Sequence, residues 1–172
     1  MLECHWSVEL YNRLKAANVR QVAYVPDAGH AQLIELFAAD REIVTTVLTT
    51  EEEGVAIAAG AWLGGDRTVL LMQSSGVGNL VNVLGMVQVC RFPLVMIITM
   101  RGEQGEFNPW QVPMGRATPQ VLETMGVAVR RASDAKEVAP LVAAAYQDEQ
   151  ATAVLISQSV IGIKSFQEQT AQ

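Results

Sequence analysis

Two hydrophobic patterns alternate along residues 7–157. One is a stripe of apolar positions three and four apart, which predicts a helix; the other is a short run with few polar residues, which predicts a buried strand. Ser7 is placed to cap a helix carrying Val8, Tyr11, Leu14 and Ala17 on one stripe. "RQVAYVP" reads as a strand stopped by its proline, "AQLIELFAA" as a helix, and the β-branched "REIVTTVL" as a strand. Thr49 or Thr50 then caps an alanine-rich helix from about Glu51 to Leu63, and "GGD" turns the chain into the strand "RTVLLMQ". The glycine-rich "SSGVGN" leads into a helix to about Val89, "PLVMIITM" is a buried strand, and residues 101–117 form a long polar loop. A helix from about Pro119 to Thr124, a strand near Val127 to Arg130, a helix from Ser133 to Asp148 and the strand "TAVLIS" complete the pattern. The closing "SFQEQTAQ" is expected to be a loose tail.

This alternation, with near-continuous apolar strands, predicts an α/β fold: a three-layer sandwich of about six mostly parallel strands with helices on both faces. No linker or internal repeat divides the chain, so one domain is expected. Sites in such folds form where strands end and helices begin. The informative loops are therefore residues 26–30, 49–53, 73–79 and 101–115.

Composition narrows the partners. The formal net charge is -6 and no basic cluster appears, which argues against nucleic acid and anionic membrane. The longest apolar runs are too short to span a bilayer, and "MLECHWSVEL" lacks the layout of a signal peptide. Cys4 and Cys90 show no metal-ligand spacing, as expected for a reducing cytosol. Only 17% of 172 residues are charged, which predicts some apolar surface covered by another chain.

Candidate chemistry sits in four segments. "EEEGVAIAAG" places three carboxylates before an uncharged run, and every stripe below them is apolar or small, so this helix is expected to be buried nearly all round. A first-turn acid complementing the macrodipole and an acid inside a site both fit this pattern. "QSSGVGN" at 73–79 can form an anion nest or a plain tight turn, and it lacks the Gly-Lys-Ser/Thr of a phosphate loop and the third glycine of a dinucleotide fingerprint. In "VPDAGH", Asp27 or His30 can cap the next helix or face a ligand. The loop from Arg101 to Arg116 carries two arginines able to bind an anion, or simply solvated charges.

Taken together, these segments resemble the pyrimidine-binding domain of thiamine-diphosphate-dependent 2-oxo acid decarboxylases. That family carries a glutamate nine residues before a glycine, with small residues just ahead of the glycine; here Glu51 precedes Gly60 by nine across "AIAAG", which selects Glu51 over Glu52 and Glu53. "SSGVGNLVN", "PLVMIIT" and "VPDAGH" are similar to further family segments, so the resemblance runs from about Val8 to Ser157. "EEEGV", "LMQSSGVGN", "RGEQGE" and "PMGRATP" look like the branch acting on a sulfonated 2-oxo acid; the phosphonated-substrate branch is second, sharing "RGE" but fitting "PMGRATP" less well.

The resemblance implies the thiamine-diphosphate-binding fold and a chain that is half a carboxy-lyase. Residues 1–172 would form one pyrimidine-binding domain. The "GGD" at 64–66 lacks the family's downstream diphosphate-binding pattern, so a separate β subunit would hold Mg²⁺ and the cofactor's diphosphate, in a homo- and hetero-oligomer. Glu51 would be catalytic, hydrogen-bonding a pyrimidine nitrogen of the cofactor. Pro26, Gln73, Ser74, Ser75, Gly76, Gly78 and Asn79 would line the cofactor pocket. Asp27, His30, Arg101, Gln104 and Arg116 would meet a small anionic substrate. A non-catalytic module of the same fold and a nucleotide-binding protein using "SSGVGN" are the rival readings.

Overall fold

The computed structural model describes residues 5–162; the tail "SFQEQTAQ" and Cys4 lie outside the described residues. Six strands form a single sheet: β1 (Val19–Tyr24), β2 (Val44–Val47), β3 (Arg67–Gln73), β4 (Val95–Thr99), β5 (Ala128–Ala132) and β6 (Thr152–Ile156). Their spatial order is β2-β1-β3-β4-β6-β5 and every pairing is parallel. The central strands β4 and β6 are buried at every residue, as expected for strands covered on both faces.

Two cores flank the sheet. One holds Leu10, Leu14, Leu33, Phe37, Leu71, Ile97 and Val142, and belongs to α1 (Trp6–Ala16), α2 (Ala31–Ala39) and α7 (Ala135–Ala145). The other holds Val55, Leu70, Met72, Leu80, Leu84, Met96 and Leu122, beneath α3 (Glu51–Leu63), α4 (Val77–Leu80), α5 (Leu84–Cys90) and α6 (Val112–Thr124). Alternate residues of β3 and β4 serve opposite cores, as strand geometry requires. The predicted three-layer sandwich is thus observed, with a final short helix α8 (Gln158–Ile161) that the hydrophobic pattern did not signal.

Several local expectations are corrected. His5, not Ser7, is the N-cap of α1: its Nδ1 accepts from the Ser7 N–H, while Ser7 Oγ donates to Gln32 at 2.6 Å. Thr50 occupies the N-cap position of α3 but makes no side-chain cap bond; Glu53 Oε2 accepts from the Thr49 N–H at 2.8 Å instead. Helix α3 is buried on one side only, leaving Glu52, Glu53, Ala56, Gly60, Trp62 and Leu63 exposed. The segment after β3 is two helices with a turn between them, because "VGNLVNVLG" is rich in residues of low helix propensity.

The long polar loop is shorter than expected, since α6 begins at Val112 rather than near Pro119. Pro113 lies in its first turn, where a missing N–H costs no intrahelical bond. Gly115 lets α6 settle onto the loop, for a Cβ there would lie 2.0 Å from the Arg101 carbonyl oxygen. Helix α7 shows the clearest capping chemistry: Asp134 accepts from the Lys136 N–H at 2.9 Å and Glu137 reaches back to the N-cap backbone. No helix among the described residues is long and apolar enough to cross a membrane.

Candidate active site

The helices after β2 and β3 both lie on the same face of the sheet, so their N-terminal ends meet above the strand tips. This brings Glu51, the first residue of α3, against the turn at 74–79. Glu51 is 6% exposed, whereas Glu52 and Glu53 are open to solvent, so burial distinguishes the three acids. Its Oε2 accepts from Asn79 Nδ2 at 2.7 Å. Its Oε1 lies over Gly76, where a Cβ would stand 2.1 Å from that oxygen. No hydrogen bond is seen to Oε1 among the described residues. The first glycine of "SSGVGN" is therefore a cradle for the Glu51 carboxylate. Gly78 is exposed, near Met114 of α6.

The same turn is fixed from below. Ser74 is fully buried, its Oγ accepts from the Arg101 N–H at 3.0 Å, and Thr118 of α6 packs on its carbonyl. Gln73, at the tip of β3, has a buried Oε1 without a hydrogen-bond partner among the described residues. Ser75 is half-buried and Pro26 exposed at the same end of the sheet.

A second polar cluster occupies the other face at the same strand tips. The helix after β1 leaves toward the α1/α7 layer, so the loop at 26–30 is carried there. Asp27, Gly29, Thr99, Arg101 and Gln158 line a cavity of about 100 Å³. Thr99 Oγ1 donates to Asp27 Oδ2 at 2.5 Å. Burial pushes the Asp27 carboxyl up, but the His30 imidazole, the Thr99 hydroxyl and the Gly29 N–H outweigh it and hold it at about 2. His30 is fully buried, so it stands behind Asp27 rather than in the cavity.

Of the two arginines expected to meet an anion, Arg101 lines this cavity and Arg116 does not. The Arg101 guanidinium is clamped by Glu106, with Nε–Oε2 at 2.8 Å and Nη2–Oε1 at 2.6 Å, so its charge is already matched. Arg116 is exposed and lies roughly 200° round α6 from the inward-facing Thr118. Gln104 is exposed. Glu106, which the sequence reading left without a role, is the hub of the loop: it also accepts from the backbone of Gly102 and Asn108 and from Gln158 Nε2. Glu103 accepts from the Gln158 N–H at 2.8 Å and pairs with Arg131. The signal for these roles, an acid a few residues from an arginine in a glycine-rich loop, is present in "RGEQGE" but does not say which partner each acid takes.

A buried carboxylate facing a glycine cradle at the strand tips of a parallel sheet stands where open α/β domains bind their ligands. Residues 7–111 match the family "Thiamine pyrophosphate enzyme, N-terminal TPP binding domain", and the chain belongs to it. Within it, the chain is 40% identical over 125 residues to the sulfopyruvate decarboxylase subunit alpha of Methanothermobacter thermautotrophicus, covering 72% of this chain and 76% of that one. It is thus a homologue of sulfopyruvate decarboxylase α subunits, a name that implies a partner subunit for those relatives. Phosphonopyruvate decarboxylase of Streptomyces viridochromogenes is 37% identical over 119 residues, which are 68% of this chain but 30% of that protein. Among solved structures, a Mycobacterium smegmatis protein provisionally assigned as a thiamin diphosphate-dependent enzyme superposes with a TM-score of 0.72. It is 15% identical, covers 95% of this chain and 34% of that one, and speaks for the fold alone.

Proposed function

We propose that the chain is the pyrimidine-binding α subunit of a two-chain decarboxylase that converts sulfopyruvate to sulfoacetaldehyde and CO₂. The observation that carries this reading is Glu51, buried against Gly76 and oriented by Asn79. The residues fit thiamine diphosphate: a carboxyl group with one oxygen held by Asn79 and the other without a protein donor is free to share a proton with a heterocyclic nitrogen. When bound, the cofactor supplies the electron sink for loss of CO₂. Glu51 would hold the proton shared with its pyrimidine, Asn79 holds one oxygen of that carboxyl group, and Gly76 leaves room for the Glu51 side chain. Gln73, Ser74 and Ser75 shape the pocket floor. A β subunit supplies the diphosphate-binding domain with Mg²⁺.

The substrate carries a carboxylate and a sulfonate, so its site needs cations. With Arg101 matched by Glu106 and Asp27 ionised in the same cavity, the cluster in this chain orients polar atoms more than it attracts anions. This supports a cation from the β subunit. Phosphonopyruvate is the second reading, favoured by the 37% identity to its decarboxylase. Against it, the chain spans most of an α subunit and less than a third of that enzyme.

The test is co-expression with a β chain carrying the diphosphate-binding domain, followed by aldehyde-release assays over sulfopyruvate, phosphonopyruvate and pyruvate. Sulfopyruvate is expected to turn over fastest. Glu51→Gln is expected to leave assembly intact and to lower turnover by two orders of magnitude or more, that is by about 3 kcal/mol or more in the barrier. Near-normal turnover by the assembled Glu51→Gln complex would remove the reading.

A further inference from the structure

His30 has no exposed surface, and neither ring nitrogen has a hydrogen-bond partner among the described residues. A buried imidazole without partners costs free energy that an aliphatic side chain of similar volume would not. Its Nδ1 stands 3.5 Å from Asp27 Oδ2, within ion-pair reach but not hydrogen-bonded. The ring is held from the other side by Trp6, edge-on with centroids 6.4 Å apart, and Trp6 is itself buried. Gly29 keeps the turn tight: a Cβ there would fall 2.8 Å from Thr99 Cγ2 and 2.9 Å from Asp27 Oδ2. The loop at 26–30 thus presses one carboxylate between a hydroxyl of β4 and a buried imidazole, with the cavity of about 100 Å³ in front of it.

We infer that His30 is a positioning residue: from behind the cavity it donates through Nδ1 to Asp27 and so fixes where the Asp27 carboxylate points toward the substrate. His30 does not touch the substrate; it acts through Asp27. The Nδ1–Oδ2 separation is long for a hydrogen bond, and such contacts commonly tighten once a ligand fills the site. This inference rests on the proposed function for its kinetic consequence but not for the contact itself.

The chain has two histidines, His5 and His30, so a ¹⁵N-histidine-labelled chain assembled with an unlabelled β subunit gives a readable spectrum. The expected result is a His30 ring protonated at Nδ1, whose signal shifts in Asp27→Asn. In kinetics with sulfopyruvate, His30→Leu keeps the volume but removes the donor, and kcat/KM is expected to fall on the order of 10- to 100-fold. His30→Asn restores a side-chain N–H near the Nδ1 position and is expected to recover most of that loss. The inference is overturned if Nδ1 carries no proton in the wild-type complex, or if Leu and Asn at position 30 behave alike. Should the wild-type complex show no decarboxylation at all, the proposed function fails while the spectra still decide the role of His30.

Discussion

Glu51 and Gly76 are matched by volume. The carboxylate occupies the space a side chain at position 76 would fill, so the acid and the glycine, far apart in sequence, act as one feature. Gly76→Ala places a methyl group 2.1 Å from Oε1, and the carboxylate must swing away. The backbone of Gly76 is right-handed helical (φ -70°), so alanine adds no backbone strain. The expected outcome is roughly a 100-fold fall in turnover by the assembled enzyme, with little change in melting temperature. A fall in stability without loss of turnover would contradict the cradle. Glu106 gives a second prediction at this scale. Arg101 holds its carboxyl at about 2, helped by the Gly102 and Asn108 N–H groups and opposed by burial. The folded value lies below the ordinary 4.5, so the stabilisation is complete above about 4.5 and is lost as pH falls toward 2. Glu106→Gln leaves the Arg101 guanidinium buried without a counter-charge and should cost about 3 kcal/mol at neutral pH. Urea denaturation from pH 7 to pH 2 should show the gap between variant and wild type closing below 4.5.

At the scale of elements, the distance between α3 and the sheet is set by Gly54. A Cβ there would lie 2.4 Å from Leu70 Cδ1 and 2.9 Å from Leu48 Cδ1, both of them buried side chains. Gly→Ala within a helix ordinarily stabilises. Here the crowding should reverse the sign, so Gly54→Ala is expected to destabilise by about 1–2 kcal/mol, read from the shift in urea midpoint. Because α3 carries Glu51 at its first residue, the same substitution should also lower turnover. Helix α6 uses small residues in the same way: Gly115 and Thr118 let it lie over the loop at 101–108 and the Ser74 turn. The hydrophobic stripe of α6 was hidden in the sequence by two prolines. Pro113 sits where a proline belongs, and Pro119 is accommodated in mid-helix beside the Thr118 bond to the Met114 carbonyl at 2.8 Å, a bond that favours bending.

At the scale of the whole molecule, the strand order decides which loops share a face. The helices after β2 and β3 fall on one side, which gathers Glu51, Gly76 and Asn79. The helix after β1 falls on the other, which gathers Asp27 and His30 with Thr99 of β4. Leu63 and Val89 remain 79% and 83% exposed, in keeping with a chain too poor in charge to cover itself. If the diphosphate is held by a β subunit, calorimetry should detect thiamine diphosphate binding to the assembled complex with Mg²⁺ and little heat with this chain alone. Equal affinity for the isolated chain would contradict the division of the cofactor site between two subunits.

The sequence by itself determined the layers and the strands, because burial on both faces leaves the central strands β4 and β6 with a single threonine each among apolar residues and glycine marks the tight turns. The residues alone left the three acids of "EEEGV" equivalent; the resemblance to the family selected Glu51, and burial then set it apart from Glu52 and Glu53. Tertiary structure decided what those residues do. That Gly76 makes room for a carboxylate is a fact about which loops meet at the strand tips, and it depends on the order in which six parallel strands are laid side by side. That Arg101 is matched by Glu106 and that His30 lies behind Asp27 are facts about how two short loops fold on themselves, which proximity in sequence permits but does not dictate, because β4, α6 and α8 hold those loops in shape.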